Sequence, residues 1–160
     1  MTRFVNGPAA RYGRGMKPIP YDPRTFFERF TWDHHGATLG IVYHAHGEDW
    51  TELALPYDAK LIGDPASGVI ASGPILTLLD QATSSAVWLK RGGFLPHATL
   101  DLRIDYLRAA TPERTVYGRG ECYRLTNSIA FVRGTAHDGD PDDPLAHVAG
   151  TFMLMSGTGA

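Results

Sequence analysis

Residues 73–93 read GPILTLLDQATSSAVWLKRGG, which is the pattern of one long amphipathic helix. Gly73 and Pro74 open the pattern, and two basic residues followed by Gly92 and Gly93 close it. Between these ends the apolar residues recur at the three-and-four spacing of a single helical face: Ile75, Leu78, Leu79, Ala82, Ala86 and Leu89. At 1.5 Å per residue, about 17 residues give a helix of roughly 25 Å, which is long enough to cross several strands of a sheet.

Strand patterns follow this helix with no second helix between them. Apolar and polar residues alternate in ATLDLRIDYL, residues 98–107. The alternation predicts one face of Leu100, Leu102, Ile104 and Tyr106 and an opposite face of Thr99, Asp101, Arg103 and Asp105. The stretches TVYGRGECYRL, SIAFVRGTAHD and HVAGTFMLM predict three more strands, the last of them after the acidic loop DGDPDDP.

A short helix and a hairpin are predicted ahead of the long helix. In DPRTFFERF, Asp22 is an N-cap candidate and Pro23 occupies the first helical position. Three phenylalanines follow at helical spacing: Phe26, Phe27 and Phe30. The stretches ATLGIVYHA (residues 37–45) and DWTELALPY (residues 49–57) flank a short turn containing Gly47 and predict two paired strands.

This element order predicts a single domain of the α+β class. Strands that occur in runs indicate an antiparallel sheet, and we expect about six strands curved around the one long helix. A chain of 160 residues suits one domain, which we assign to residues 21–160. Residues 1–20 carry glycine and proline without an apolar period, so we expect an arm that is disordered or ordered only by a neighbour.

The composition excludes several functional classes. The net charge is −2, from 15 basic and 17 acidic residues, which argues against a nucleic-acid-binding module and gives no polybasic membrane signal. The sequence has no run of apolar residues long enough for a membrane span and no secretory signal pattern. The single cysteine, Cys122, cannot form an internal disulfide, so we expect a cytoplasmic protein.

Asp80 is the one carboxylate on the otherwise apolar or weakly polar long helix. A carboxylate in such a place needs a partner, because desolvation of an unpaired charge costs several kcal/mol. Partial burial also raises the pKa of a carboxyl group toward the range useful for a general base. The pattern leaves two interpretations open, a catalytic acid or a structural one that caps a loop or pairs with Arg91 or Arg103.

The start of the long helix is a second candidate feature. The free backbone N–H groups of a first turn and the positive end of the helix dipole favour a developing oxyanion or an anionic group. Gly68 and Gly73 bracket this start, and glycine allows a ligand to approach closely. The alternative is that these residues only form a tight turn into the helix.

Together, DPASGVIASGPILTLLDQATSSAV, ATLDLRIDYLRAA and AGTFMLM resemble the hotdog-fold acyl-CoA thioesterases, in particular the phenylacetic-acid-pathway (PaaI-like) type. The resemblance covers roughly residues 22–155, and it implies the hotdog fold. In that family the loop and helix start typically read Asn-Pro-x-x-Gly-x-x-His-Gly-Gly, with an aspartate seven residues after the last glycine. Here that glycine is Gly73 and the aspartate is Asp80.

The resemblance also implies roles for particular residues. Asp80 would be the general base or nucleophile at a thioester carbonyl, the Gly73 N–H would polarise the thioester oxygen, and Thr99 would orient water. Three positions depart from the family: Asp64 replaces its asparagine, Ala71 its histidine and Ser72 the first glycine of its pair. Such losses of positioning groups cost a factor of about a hundred in rate. We therefore expect Ser72, Asp64 or Thr99 to take over, or turnover to be slow.

The resemblance implies a dimer, or a tetramer built from dimers. Each site would combine the helix start of one chain with the helix aspartate of the other. Coenzyme A, as part of the substrate rather than a separate cofactor, would meet arginines near strand ends: Arg103, Arg108 and Arg124. Each of these arginines taken singly also fits a solvated charge at a strand edge.

Two rival functions remain open from the sequence. Ala71 and Asp64 also fit a non-catalytic hotdog protein that binds acyl-CoA, and a hydratase or dehydratase of the same fold is a third candidate. We expect no metal site, because the histidine pairs at 34–35 and 44–46 lack a carboxylate or cysteine at ligand spacing. A catalytic role for Cys122 would need a histidine partner that the sequence does not place.

Overall fold

The computed structural model of the protein describes residues 19–29 and 34–155. Its helices are α1 (Pro23–Arg29), α2 (His35–Leu39) and α3 (Ser72–Arg91), with a 3-10 turn at Ala59–Leu61. Its strands are β1 (Val42–His46), β2 (Trp50–Leu55), β3 (Ile62–Asp64), β4 (Val69–Ile70), β5 (His97–Tyr106), β6 (Val116–Leu125), β7 (Ile129–His137) and β8 (Ala146–Leu154). Within the described part of the chain, no helix is both long and apolar enough to cross a membrane.

Six strands form one antiparallel sheet in the order β1-β2-β6-β7-β8-β5, and β3 and β4 form a separate small hairpin. Helix α3 lies across the inner face of the large sheet, where it contacts β2, β5, β6 and β7. The predicted α+β class, the six strands and the single long helix are therefore confirmed. Because β5 is the last strand in the order, one of its edges has no neighbour within the described chain.

Helix α3 begins and ends close to the predicted positions. It starts at Ser72, one residue before the predicted Gly73, and Ala71 at its N-cap makes no side-chain capping bond. It ends at Arg91, and Gly92 takes the left-handed conformation with a φ of 68° that glycine tolerates best. The backbone N–H of Gly92 donates to the carbonyl of Leu89. The predicted end of the helix at a glycine is thus confirmed.

The region before α3 differs from the prediction in the first predicted strand. The predicted strand over residues 37–45 is wrong in its first part, because residues 37–39 belong to α2 and the strand begins at Val42. The N–H of Ala37 donates to the ring of His34, and Gly40 ends the helix in the left-handed conformation. These local bonds outweigh the alternating pattern. Phe30 and residues 1–18 lie outside the described residues, so the predicted arm stays a prediction.

A bulge in β5 places Thr99 on the side of the strand opposite to the one predicted. Thr99 pairs with Phe152 and Asp101 pairs with Thr151, which leaves Leu100 as an extra residue in the strand. Because of this shift, Thr99 lies on the same, helix-facing side as Leu102, while Leu100 is 54% exposed. The prediction of Thr99 on the face opposite Leu102 is wrong, because strict alternation has no place for the extra residue.

Two glycines of β6 allow α3 to approach the sheet closely. A Cβ atom on Gly120 would lie 2.4 Å from the backbone nitrogen of Thr83, and one on Gly118 would lie 2.6 Å from Cγ of Leu78. Gly120 therefore faces the backbone of the helix itself, which cannot move as a flexible side chain can. The position of α3 over the sheet depends on the absence of side chains here.

Gly120→Ala should destabilise the protein by about 1–3 kcal/mol, because the added methyl group overpacks the contact between β6 and α3. Urea unfolding followed by circular dichroism measures this change. Gly73→Ala is the matched control, since a Cβ there meets no atom within 4 Å. Equal unfolding midpoints for the two variants would contradict the close-packing interpretation of Gly120.

Candidate active site

The carboxylate of Asp80 is held by a hydroxyl from β5. Thr99 Oγ1 donates a hydrogen bond of 3.0 Å to Asp80 Oδ1. Helix α3 presents Asp80 toward β5, and the bulge at Leu100 turns Thr99 toward the helix. The structure therefore brings together two of the residues predicted for the site, and it does so within one chain.

Neither arginine considered as a partner contacts Asp80. Arg91 Nη1 donates to the carbonyls of Leu95 and Pro96, and Arg103 is bonded to Asp105 on its own strand. Within the described residues, the only side chain that hydrogen-bonds the Asp80 carboxylate is that of Thr99. The alternative of an ion pair with Arg91 or Arg103 is therefore wrong.

Burial raises the pKa of Asp80 above its ordinary value, and the hydrogen bond from Thr99 opposes that rise. Desolvation disfavours the charged form of a carboxyl group, whereas a donor to the carboxylate favours it. Asp80 is partly buried. One of its oxygens accepts a bond from a neutral hydroxyl, and no cation of residues 19–29 or 34–155 forms an ion pair with it. This is the environment in which a carboxylate gains basicity.

The first turn of α3 is open at Gly73. A Cβ atom on Gly73 would meet nothing within 4 Å, and both Ser72 and Gly73 are exposed. Tyr106 Oη donates a 3.0 Å hydrogen bond to the carbonyl of Ser72, which ties this turn to the end of β5. The first-turn N–H groups have no side-chain cap, so they are available to an incoming oxygen.

Asp64 is part of a turn and not of the Asp80 pair. Its carboxylate accepts bonds from the Ala66 N–H and the Ser67 hydroxyl, and these bonds lower its pKa. Its side-chain bonds, as far as the chain is described, stay within residues 64–67. The structure therefore assigns Asp64 a turn-forming role beside the helix start.

The three arginines predicted to bind coenzyme A differ in their partners. Arg108 forms a two-point ion pair with the buried Asp138, with Nη2 to Oδ1 at 2.8 Å, and this guanidinium holds the pKa of Asp138 far below its usual range. Arg103 is paired with Asp105. The side chain of Arg124 is exposed and has no hydrogen-bond or ion-pair partner in the described part of the chain. Of the three, Arg124 is the one with a free guanidinium.

The sequence analysis missed a second polar pair between α3 and β5. Ser84 Oγ lies 2.7 Å from His97 Nε2. Ser84 is one helical turn after Asp80, and His97 is two strand residues before Thr99. The sequence shows only that Ser84 is four residues from Asp80 and His97 two residues from Thr99, and this spacing does not show that Ser84 and His97 meet.

The described histidines and cysteine do not form a metal site. No group of three or more His, Cys, Asp or Glu side chains within residues 19–29 and 34–155 is arranged to hold a metal ion. Cys122 is buried, and burial raises the pKa of its thiol. A buried thiol of raised pKa is a poor nucleophile at neutral pH.

Comparisons with known proteins identify the family and the fold of this chain. Residues 67–145 match the family model of the thioesterase superfamily. A solved structure of a Pseudomonas aeruginosa protein is 41% identical, with a TM-score of 0.72, and the match covers 83% of this chain and 96% of that one. The chain belongs to the thioesterase superfamily. Its long helix and six-stranded antiparallel sheet are the hotdog fold.

Two further solved structures have a similar fold. One, described as a protein from the thioesterase superfamily, is 26% identical with a TM-score of 0.72, and the match covers 83% of this chain and 96% of that one. The Escherichia coli PaaI protein from the phenylacetic acid degradation operon is 16% identical with a TM-score of 0.70, covering 82% and 91%. It shares the fold, which confirms the resemblance to PaaI-like proteins at that level. A search of curated sequences gave no match.

Thr99→Val should raise the pKa of Asp80, because it removes the hydroxyl donor that favours the ionised carboxylate. The pKa is measured by following the Asp80 carboxyl carbon in an NMR titration. Thr99→Ser keeps the hydroxyl and should leave the titration near that of the unchanged protein. A lower pKa in Thr99→Val would contradict the assigned hydrogen bond.

Proposed function

We propose that this thioesterase-superfamily protein hydrolyses an acyl-CoA to the free acid and coenzyme A, with Asp80 as general base. The observation that carries the proposal is the half-buried Asp80 carboxylate, which is bonded to Thr99 and has no cationic partner among the described residues. A carboxyl group with a raised pKa accepts a proton from water more readily than an ordinary surface aspartate. The acyl group is small, of medium length or aromatic.

The reaction needs no redox or metal partner for its atoms to balance. Asp80 takes a proton from a water molecule as the water oxygen bonds to the thioester carbonyl carbon. The carbonyl oxygen becomes an oxyanion, and its collapse breaks the carbon–sulfur bond. The proton on Asp80 then passes to the departing sulfur, which restores the carboxylate and releases coenzyme A as a thiol.

The Gly73 N–H is the proposed donor to that oxyanion. The open space around Gly73 and the uncapped first turn of α3 support this role, because the donor must lie within about 3 Å of the oxyanion. Ser72 precedes it in the same exposed turn and offers a further hydroxyl. The helix dipole adds a favourable potential for negative charge at this end.

We propose that one site is built from two copies of the chain. Gly73 and Asp80 are seven residues apart on α3, which is about 10.5 Å along the axis at 1.5 Å per residue. That separation is long for two groups acting on one thioester. Two features support self-association: the unpaired edge of β5, and exposed apolar side chains on β5, directly after it and in the first turns of α3. These side chains are Leu100, Tyr106, Leu107 and Leu76.

Arg124 is the proposed contact for the anionic part of coenzyme A, because its guanidinium has no carboxylate partner among the described residues. Arg108 and Arg103 would have to leave Asp138 and Asp105 to serve the same purpose. We therefore rank Arg124 ahead of Arg103 and Arg108 as a coenzyme A ligand. No separate cofactor enters the proposal.

A non-catalytic protein that binds acyl-CoA is the second candidate. Ala71 lacks the imidazole expected from the family resemblance, and the Asp64 carboxylate is bonded within its own turn. Both facts remove groups that would otherwise position water. This candidate predicts coenzyme A binding without thiol release.

Asp80→Asn should lower thiol release from an acyl-CoA panel by about 10²–10⁴-fold, because the amide cannot accept the proton. Free thiol is measured with a chromogenic disulfide reagent. The same variant also makes a prediction about stability. Burial raises the pKa of Asp80 in the folded protein, so the folded state loses stability as the pH rises through that pKa and the carboxyl group ionises. Asparagine carries no charge, so Asp80→Asn should be at least as heat-stable as the unchanged protein at pH 7. Undiminished thiol release in this variant would refute the role of Asp80.

Mixing two inactive variants tests the shared site. Gly73→Val should be inactive, because its side chain fills the space that the thioester oxygen must enter. Unfolding and refolding Asp80→Asn together with Gly73→Val should restore activity, since a mixed dimer has one site with both native residues. Each variant refolded alone is the control. No recovery in a mixture that forms dimers would contradict the two-chain site.

A further inference from the structure

The pair Ser84 and His97 lies beside the pair Asp80 and Thr99. Ser84 follows Asp80 by four residues, so the two side chains share one face of α3 with their Cβ atoms about 5–6 Å apart. His97 precedes Thr99 by two residues and shares its face of β5. The helix and the strand are thus joined by two neighbouring polar contacts, at 3.0 Å and 2.7 Å.

We propose that Ser84 holds the water that Asp80 activates, and that His97 is the positioning residue that orients the Ser84 hydroxyl. This role rests on the proposed hydrolase function. Asp80 Oδ1 is occupied by Thr99, whereas Oδ2 has no partner in the described part of the chain. Ser84, one turn further along the same helix face, offers its hydroxyl to a water molecule bonded to Oδ2.

The surroundings of His97 keep its ring neutral. The ring lies 4.8 Å from that of Trp88 and 5.1 Å from that of Phe152, centroid to centroid. Burial, together with the nearby Arg91, lowers the pKa of His97 to about 4. A neutral imidazole carries one proton, so one ring nitrogen donates and the other accepts.

The buried second nitrogen indicates which tautomer is present. His97 Nδ1 is buried and has no hydrogen-bond partner in the part of the chain that the structure describes. An orphaned buried N–H is rarer than an under-satisfied acceptor, so the proton belongs on Nε2. Nε2–H then donates to Ser84 Oγ, and the Ser84 hydroxyl proton is left to bond the water. In this way an imidazole contributes to water positioning although residue 71 is alanine.

The adjacent serine supplies a matched control. Ser85 is fully buried and is bonded to Thr51 at 3.0 Å and to Tyr21 at 2.7 Å, on the side of α3 away from the Asp80 face. Removing its hydroxyl affects packing and hydrogen bonding without touching the proposed site. Ser84→Ala and Ser85→Ala therefore separate a catalytic effect from a structural one.

Steady-state thiol release tests the proposal. Ser84→Ala should lower kcat by about a hundredfold with little change in KM. The reason is that Ser84 positions the attacking water and does not bind the substrate, so its loss affects the transition state and not substrate binding. Ser84→Thr should retain most of the activity, and Ser85→Ala should lower the melting temperature without this loss of kcat.

His97→Leu should also lower kcat, because it removes the ring that orients the Ser84 hydroxyl. His97→Gln, whose amide can still donate a hydrogen bond, should lower kcat less than His97→Leu does.

Nitrogen-15 NMR gives a readout that does not depend on activity. The spectrum of His97 should show a protonated Nε2 and an unprotonated Nδ1 at pH 7. The opposite tautomer would overturn the proposed role of His97. Wild-type thiol release that depends on Asp80 but is unchanged in Ser84→Ala would overturn the role of Ser84 and leave the hydrolase function intact. No thiol release by the wild-type chain would count against the function itself and this role with it.

Discussion

The close contact between α3 and β6 determines where every other part of the site can lie. Gly120 has no side chain, so the backbone of the helix near Thr83 rests directly on the strand. A helix held this close presents its sheet-facing side to the apolar interior, which includes Leu78, Leu79 and Ala82. The remaining side, with Asp80 and Ser84, is then directed toward β5. The position of the site follows from a packing contact that takes no part in the chemistry.

The contact of Asp80 with Thr99 affects both the stability of the folded protein and the reactivity of the Asp80 carboxylate. Burial of Asp80 raises its pKa, which is unfavourable for a charged group in the folded protein and favourable for a base. Thr99 compensates part of that cost through one hydrogen bond. Because the compensation comes from a neutral hydroxyl and not from an arginine, the carboxylate keeps its basicity. An ion pair at the same place would lower the pKa instead.

The contrast with Asp138 makes this point within one protein. Asp138 is also buried, but the guanidinium of Arg108 and the N–H of Thr111 hold its pKa far below the usual range. Its contribution to stability is therefore present above the pKa of an unfolded aspartate and lost as the pH falls below it. The half-buried Asp80 and the buried Asp138 differ in their partners. Because of this difference, Asp138 stabilises the fold, whereas Asp80 is suited to the proposed chemistry.

The sequence by itself determined the long helix, its glycine stop, the α+β class and the unusual position of Asp80, because these depend on local spacing and on residues a few positions apart. It did not determine the direction of Thr99, since a bulge at Leu100 shifts the strand by one residue and reverses the expected face. It also did not reveal that His97 meets Ser84. The two residues are 13 positions apart, and one lies in a helix and the other in a strand, whose side chains repeat with different spacings. Only the tertiary structure decides which side chains face each other across two packed elements, because that depends on the position of one backbone over another.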